Sequence, residues 1–211
     1  MNDWIQLGLA ITIAYLIGSI PTSVWVGRVF YKKDVRDHGS GNAGATNTIR
    51  VLGYAAGIPV LIFDIFKAWI VVYAAKNWLH WNMDGDILVY TQIIVGLAAV
   101  LGHVFPIYVG FRGGKGVGTL AGVALALFPL AFLSSLITFV LVIVITRYVS
   151  LGSIMAALVF PVFLIFVFKN HSLPLISLGI FASVFLLFTH RKNIKKLLNG
   201  TENKFGKKSD D

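Results

Sequence analysis

Cysteine is absent from this chain of 211 residues, which removes thiolate nucleophiles, disulfides, thioester lipidation and cysteine-ligated metals together. Acyl or phosphoryl chemistry must therefore run on oxygen or nitrogen. Charge is scarce too: 13% of residues are charged and 57% hydrophobic, where soluble domains run near 25% and about 45–50%. Mean hydropathy is +0.81. No polar segment is long enough to build a soluble core, and the polar tail from Lys192 is too short to fold alone. Acidic residues are the rarer charge, nine against eighteen basic, for a formal net charge of +9. In an integral membrane protein that excess is first an orientation signal, and no nucleic-acid partner is expected. No His, Asp and Glu cluster has metal-ligand spacing, so no metal and no other cofactor is expected. Met1–Asp3 carry no basic residue and the apolar run behind them is long enough to span, so it is expected to remain as a span.

Apolar runs fall at Trp4–Phe30, Leu52–Ala75, Ile87–Val109, Val117–Thr146, Leu151–Phe168 and Ser172–Thr189. A crossing takes about 20 helical residues, and the fourth run as one helix would be about 45 Å long against a core of about 30 Å. Charge divides it. The tail carries Arg191, Lys192, Lys195, Lys196, Lys204, Lys207 and Lys208, which places it in the cytoplasm by the positive-inside rule. Counting crossings back from the tail and forward from an outer N-terminus puts both ends of 117–146 inside, so this run must pass twice. Pro129, which has no N–H to give a helix, is the expected break. The expected fold is all-α: a single membrane domain, 1–211, of seven transmembrane helices with the fourth and fifth short, and a basic cytoplasmic tail at 190–211. Fifteen of the eighteen basic residues then lie inside, with Lys76 and Lys169 outside and Lys67 within a span.

On this topology the polar insertions share the cytoplasmic face. In "HGSGNAGATN", residues 38–47, glycines at 39, 41 and 44 free the backbone for positive φ and can converge N–H groups on an anion. Ser40, Gly41, Asn42, Asn47 and Arg50 surround the same volume, although Asn and Ser in such a loop also serve simply as helix caps. The second insertion, "GHVFPIYVGFRGGKGVGT" at 102–119, holds Arg112, Gly114, Lys115, Gly116 and Thr119. It fails as a P-loop, because Gly110 is one residue too close to Gly114-Lys115 and Gly116 stands where Ser or Thr would bind magnesium. What remains is a lysine flanked by mobile amides, suited to a phosphate. His103 reads either as a structural or as a functional histidine. The third and fourth insertions hold Ser150, Ser153, His190 and Asn193, while Lys195 and Lys196 read as anchors to membrane lipids. Asp64 and Lys67 share a face of the second span, where a mutual ion pair and contact with a substrate account for them equally.

In order, Gly18-Ser19-Ile20-Pro21, Gly39-Ser40-Gly41-Asn42-Ala43-Gly44-Ala45-Thr46-Asn47, Gly102-His103-Val104-Phe105-Pro106, Phe111-Arg112-Gly113-Gly114-Lys115-Gly116, Ser150-Leu151-Gly152-Ser153, His190-Arg191-Lys192-Asn193-Ile194 and Gly200-Thr201-Glu202 resemble the bacterial acyl-phosphate:glycerol-3-phosphate acyltransferases, the PlsY family. The resemblance spans nearly the whole chain. It implies an enzyme of phospholipid biosynthesis in the bacterial inner membrane, moving a fatty acyl group from acyl phosphate to the 1-hydroxyl of glycerol 3-phosphate. Lysophosphatidic acid and phosphate are the implied products. It further implies Ser40, Asn42 and Lys115 on the acyl phosphate with Ser150 and Ser153 nearby, and Arg50, Lys115, His190 and Asn193 on glycerol 3-phosphate. Ser40, Lys115, His190 and Asn193 form the expected catalytic set; Gly41, Asn47, Lys67, His103, Arg112, Gly114, Gly116 and Thr119 join the expected binding residues. Two positions depart from the family pattern: Ala68 follows Lys67 where Gly is usual, and Arg112 replaces a lysine.

A transporter of an organic phosphate is the competing reading, since intramembrane charges and broken helices serve transporters as well. Against it, the polar segments gather on one face and no inverted repeat is evident. An acyltransferase of the His-x4-Asp type is excluded, because Ala43, Gly85, Tyr108 and Lys195 stand five residues beyond His38, His80, His103 and His190.

Overall fold

The computed structural model describes residues 2–79, 81–82 and 84–206; Lys207 and Lys208 of the basic tail lie outside the described residues. Among the described residues the chain forms ten α-helices and no strand: α1 Asp3–Gly18, α2 Thr22–Tyr31, α3 Ala45–Leu52, α4 Tyr54–Asn77, α5 Gly85–Val104, α6 Val117–Leu127, α7 Pro129–Thr146, α8 Val149–Val162, α9 Leu173–Thr189 and α10 Arg191–Leu198. Five segments are long and apolar enough to cross a membrane, Asp3–Tyr31, Tyr54–Asn77, Gly85–Val109, Pro129–Thr146 and Val149–Val167. A sixth is reached when α9 and α10, bent by 64° at their junction, count as one. The chain is a multi-pass membrane protein. Its contacts gather into two compact units, one ending at Ala126 and one beginning at Leu127.

In the first unit, Pro21 divides the first apolar run into α1 and α2, since it cannot donate to the preceding turn. Close approach of α1 to α5 requires glycine on both: a Cβ on Gly18 would collide with the Ala99 carbonyl, and one on Gly102 with the Tyr15 carbonyl. Small residues do the same for α6 against α4, where a Cβ on Gly122 would collide with the Ile65 carbonyl and one on Gly118 would press the Asp64 Cβ at 3.3 Å. This four-residue spacing of small side chains is how membrane helices approach where lipid is as apolar as the core. α3 lies against the start of α4, with Ile49 over Gly57. The helix α6 has 11 residues, about 16 Å at 1.5 Å per residue, and is short as expected.

The second unit opens where the sequence places a break: Pro129 is the first residue of α7, a position that needs no N–H. α7 has 18 residues and is long and apolar enough to cross a membrane, so of the two helices expected to be short only α6 is. In α8, Pro161 leaves the carbonyl of Ala157 without its helical donor, and Ser183 of α9 supplies one, Oγ to the Ala157 oxygen at 2.8 Å. A π-turn at Phe163–Val167 follows the proline, the local widening by which a span absorbs it.

Candidate active site

Two loops of the first unit carry the glycine motifs. After α2 the chain makes a single 3-10 turn at Val35–Asp37 and then passes Gly39 and Gly41, at φ +60° and +70°. Both occupy the left-handed region expected of them; Gly44, at φ −134°, is extended and precedes the first residue of α3. Asn47 holds this loop from inside. Its amide donates to the carbonyls of Val35 at 2.7 Å and His38 at 3.2 Å, and its Oδ1 accepts from the Ser40 N–H at 2.8 Å. Expected to touch substrate, Asn47 is 1% exposed and has its donors committed to the loop. Ser40 and Gly41 are exposed, while Asn42 and Arg50 are half-buried.

The second loop folds back over the end of α5. The N–H groups of Gly113 and Gly114 donate to the carbonyls of Val104 and His103 at 3.2 and 3.1 Å. A Cβ on Gly114 would collide with His103 Nε2 and stand 3.1 Å from the carbonyl of Ala43 in the first loop. The two glycine loops therefore meet at Gly114. Lys115 follows, half-buried; Gly116 has φ +85°, and Thr119 Oγ1 donates to its carbonyl at 3.0 Å. Arg112 is exposed. The loop leads into the first turn of α6, whose unpaired N–H groups and dipole favour an anion.

An ionic tie binds the loops together. Asp34 accepts from Arg28 at 2.9 Å and from Arg36 at 2.8 Å, and Arg36 Nη1 donates onward to the Val109 carbonyl at 2.9 Å. The hydrogen bond from Arg36 holds the Asp34 carboxyl well below the usual carboxylate range against the opposing effect of burial, and raises Arg36 in return.

Beneath the second loop lies a buried cluster. Lys67 Nζ is 2.7 Å from Asp64 Oδ1, 3.0 Å from the Ile20 carbonyl and 3.1 Å from His103 Nδ1. An ammonium has three protons, so all are engaged within the protein. The ion pair weighed for these two residues is thus present, and Lys67, expected to bind substrate, is 1% exposed. Thr22 Oγ1 adds a bond to Asp64 Oδ1 at 3.3 Å.

In the second unit, Glu202 Oε1 accepts from Ser150 Oγ at 2.9 Å and from Asn193 Nδ2 at 2.8 Å. Sequence reasoning gave Glu202 no role, although an acid embedded in a basic tail was the available signal. Asp34 and Arg36 were missed as well, and no pattern in the sequence links Arg36 to Val109. Ser153 Oγ bonds within its own helix to Val149 at 2.9 Å. His190 is buried at the α9–α10 junction, its Nδ1 2.9 Å from the Leu186 carbonyl. A carbonyl is only an acceptor, so Nδ1 carries the proton and Nε2 is the basic nitrogen of the neutral ring.

The fold is that of an integral membrane protein in which two glycine loops meet at Gly114. The family model for glycerol-3-phosphate acyltransferase matches residues 8–200. Among curated relatives, the glycerol-3-phosphate acyltransferase of Fusobacterium nucleatum is 45% identical over 196 residues, covering 92% of this chain and 96% of that one. Glycerol-3-phosphate acyltransferase 2 of Bacillus anthracis is 44% identical, covering 93% and 97%. Two crystal structures of PlsY (YgiH), an integral membrane glycerol 3-phosphate acyltransferase, are similar over 95% of this chain and 96% of theirs. The glycerol 3-phosphate form has a TM-score of 0.85 at 35% identity, the lysophosphatidic acid form 0.79 at 34%. The chain belongs to the glycerol-3-phosphate acyltransferase family.

Proposed function

We propose that this enzyme transfers a fatty acyl group from acyl phosphate to the 1-hydroxyl of glycerol 3-phosphate at the cytoplasmic face of the bacterial inner membrane. The hydroxyl oxygen forms a bond to the acyl carbon, the bond from that carbon to the phosphate oxygen breaks, and phosphate leaves with the electron pair. The observation that carries this reading is the meeting of two glycine loops at Gly114 and Ala43 beside Lys115, an amide-lined cationic locus for a phosphoryl group. Ser40, Gly41, Asn42, Arg112, Lys115, Gly116 and the α6 N-terminus are assigned to that group. Arg50, His190 and Asn193, with Lys115 shared, are assigned to glycerol 3-phosphate, and Ser150 and Ser153 lie near the acyl phosphate. Acyl phosphate is already activated, so transfer is direct, and His190 Nε2 or a substrate phosphate oxygen takes the hydroxyl proton.

The basic residues support an outer N-terminus, a cytoplasmic tail and seven passes in a single membrane domain, with α6 as a shortened pass. The test is release of inorganic phosphate by purified protein given acyl phosphate and glycerol 3-phosphate, with Lys115→Ala and His190→Ala alongside. Turnover in the unaltered protein and its loss in both variants is expected; full turnover in both would remove the site assignment. Trapping an acyl-serine by mass spectrometry, or ping-pong kinetics, would remove the direct mechanism.

A further inference from the structure

Of the buried polar groups, His103 has the most definite unfinished geometry. It is 8% exposed, and its two polar contacts among the described residues are both at Nδ1: Lys67 Nζ at 3.1 Å and Asp64 Oδ1 at 3.5 Å. An ammonium can only donate and a carboxylate can only accept, so the shorter contact decides: Lys67 at 3.1 Å donates to a lone pair on Nδ1, Asp64 at 3.5 Å makes no hydrogen bond there, and the ring proton is placed on Nε2. Asp64, 2.7 Å from Lys67, balances the ammonium charge and holds it in that role. Nε2–H has no hydrogen-bond partner among the described residues, and Nε2 occupies the space that a Cβ on Gly114 would need, where the two glycine loops meet. A buried ring with its tautomer fixed from below and its donor aimed at a glycine turn is one member short of a completed hydrogen-bond chain.

We propose that the missing member is a phosphoryl oxygen of the acyl phosphate, which accepts from His103 Nε2–H while Asp64 and Lys67 act as positioning residues that fix the donating tautomer. This rests on the assignment of the glycine loops to that phosphoryl group. It accounts for three features together: the buried lysine whose protons are all directed inward, the unpaired Nε2, and the need for glycine at 114. A larger residue there would displace the donor. His103 in this role neither takes nor gives up its proton during turnover. It is a neutral donor to an anion, a hydrogen bond stronger than one between neutral groups.

Glutamine and asparagine separate this role from a structural one, because the Gln amide reaches the Nε2 position and the Asn amide only that of Nδ1. If His103 merely satisfied Lys67, His103→Asn would be the better replacement. The proposal expects His103→Gln to stay within several-fold of the unaltered enzyme, and His103→Asn and His103→Ala to lose about 10- to 100-fold in kcat/KM for acyl phosphate. Their KM for glycerol 3-phosphate should change little. Asparagine matching or exceeding glutamine overturns it.

An arm independent of turnover uses full-length protein in detergent with 15N-labelled histidine, titrated with inorganic phosphate. Single His→Asn variants assign the His103 signals. An Nε2-protonated ring whose Nε2 resonance moves with phosphate is expected. A ring protonated on Nδ1, or an unmoved Nε2 resonance, overturns the proposal even where acyltransfer is confirmed. Absence of acyltransfer in the unaltered protein alongside a phosphate-responsive Nε2 would instead overturn the proposed reaction and leave the phosphate donor standing.

Discussion

At Lys67 the number of protons decides the role: three donors meet three acceptors within the protein, so the side chain supports the loop above it. Removing one partner of such a buried pair strands the other charge. Asp64→Leu or Lys67→Met is expected to destabilise by about 3–5 kcal/mol, and the double variant Asp64→Leu/Lys67→Met to recover a large part of that loss. Thermal unfolding of the four proteins in one detergent checks the cycle; a double variant as unstable as the sum of the singles would show that the residues act separately. Asp34 gives a prediction in pH. Its carboxyl is held below the ordinary range by Arg36, so its contribution is fully present above the unfolded carboxylate value of about 4 and fades as pH falls below that. Asp34→Asn should lower the melting temperature by a constant amount between pH 6 and 8, with the gap closing toward pH 3. A gap that widens in acid would reverse the sign. The sequence made the Asp64–Lys67 pair legible, because three residues along a helix is one face. Their third partner, 36 residues further on, follows from packing that no local pattern encodes.

Two prolines show how the same residue acts differently in different elements. Pro129 starts α7, where its missing N–H costs nothing, and was readable as a break because the run was too long for one crossing. Pro161 sits inside α8, and the run Leu151–Phe168 gave no sign of how it is accommodated because the repair comes from another helix. Ser183 Oγ has one proton, which the orphaned Ala157 carbonyl shares with the Gly179 carbonyl of the serine's own helix at 2.9 Å. Ser183→Ala should therefore destabilise by about 1–2 kcal/mol, near the upper end for interhelical hydrogen bonds in membranes, because a buried acceptor is left without a donor. Placing alanine at 161 restores a helical N–H, so the cost of Ser183→Ala should shrink in that background. Equal costs with and without Pro161, read from chemical or thermal unfolding, would mean the serine does not answer the proline. Pro21 was the opposite case: the run Trp4–Phe30 reads as one span by length, and the division into α1 and α2 became clear only with Lys67 capping the Ile20 carbonyl at the break.

For the whole chain the question is how many times it crosses, and the answer depends on its shortest apolar helix. α6 covers about 16 Å as a helix, roughly half the hydrocarbon thickness, so length alone would let it stay on one side. Charge argues otherwise. If α6 does not complete a pass, everything from α7 onward inverts, and a tail with seven basic residues is forced to the outer face against the positive-inside bias. Glycines at 118 and 122 bring α6 against the backbone of α4, beside a long span. His171, exposed between α8 and α9, is the position that separates the two cases, because it lies outside in the seven-pass arrangement and inside in a six-pass one. The chain has no cysteine, so His171→Cys and Asn199→Cys each introduce a single thiol into an otherwise unreactive protein. An impermeant maleimide applied to intact cells stripped of any outer barrier should label His171→Cys at once and Asn199→Cys only after lysis. The reverse pattern would place the tail outside, leave α6 as a re-entrant segment, and remove the cytoplasmic location proposed for His190 and Asn193.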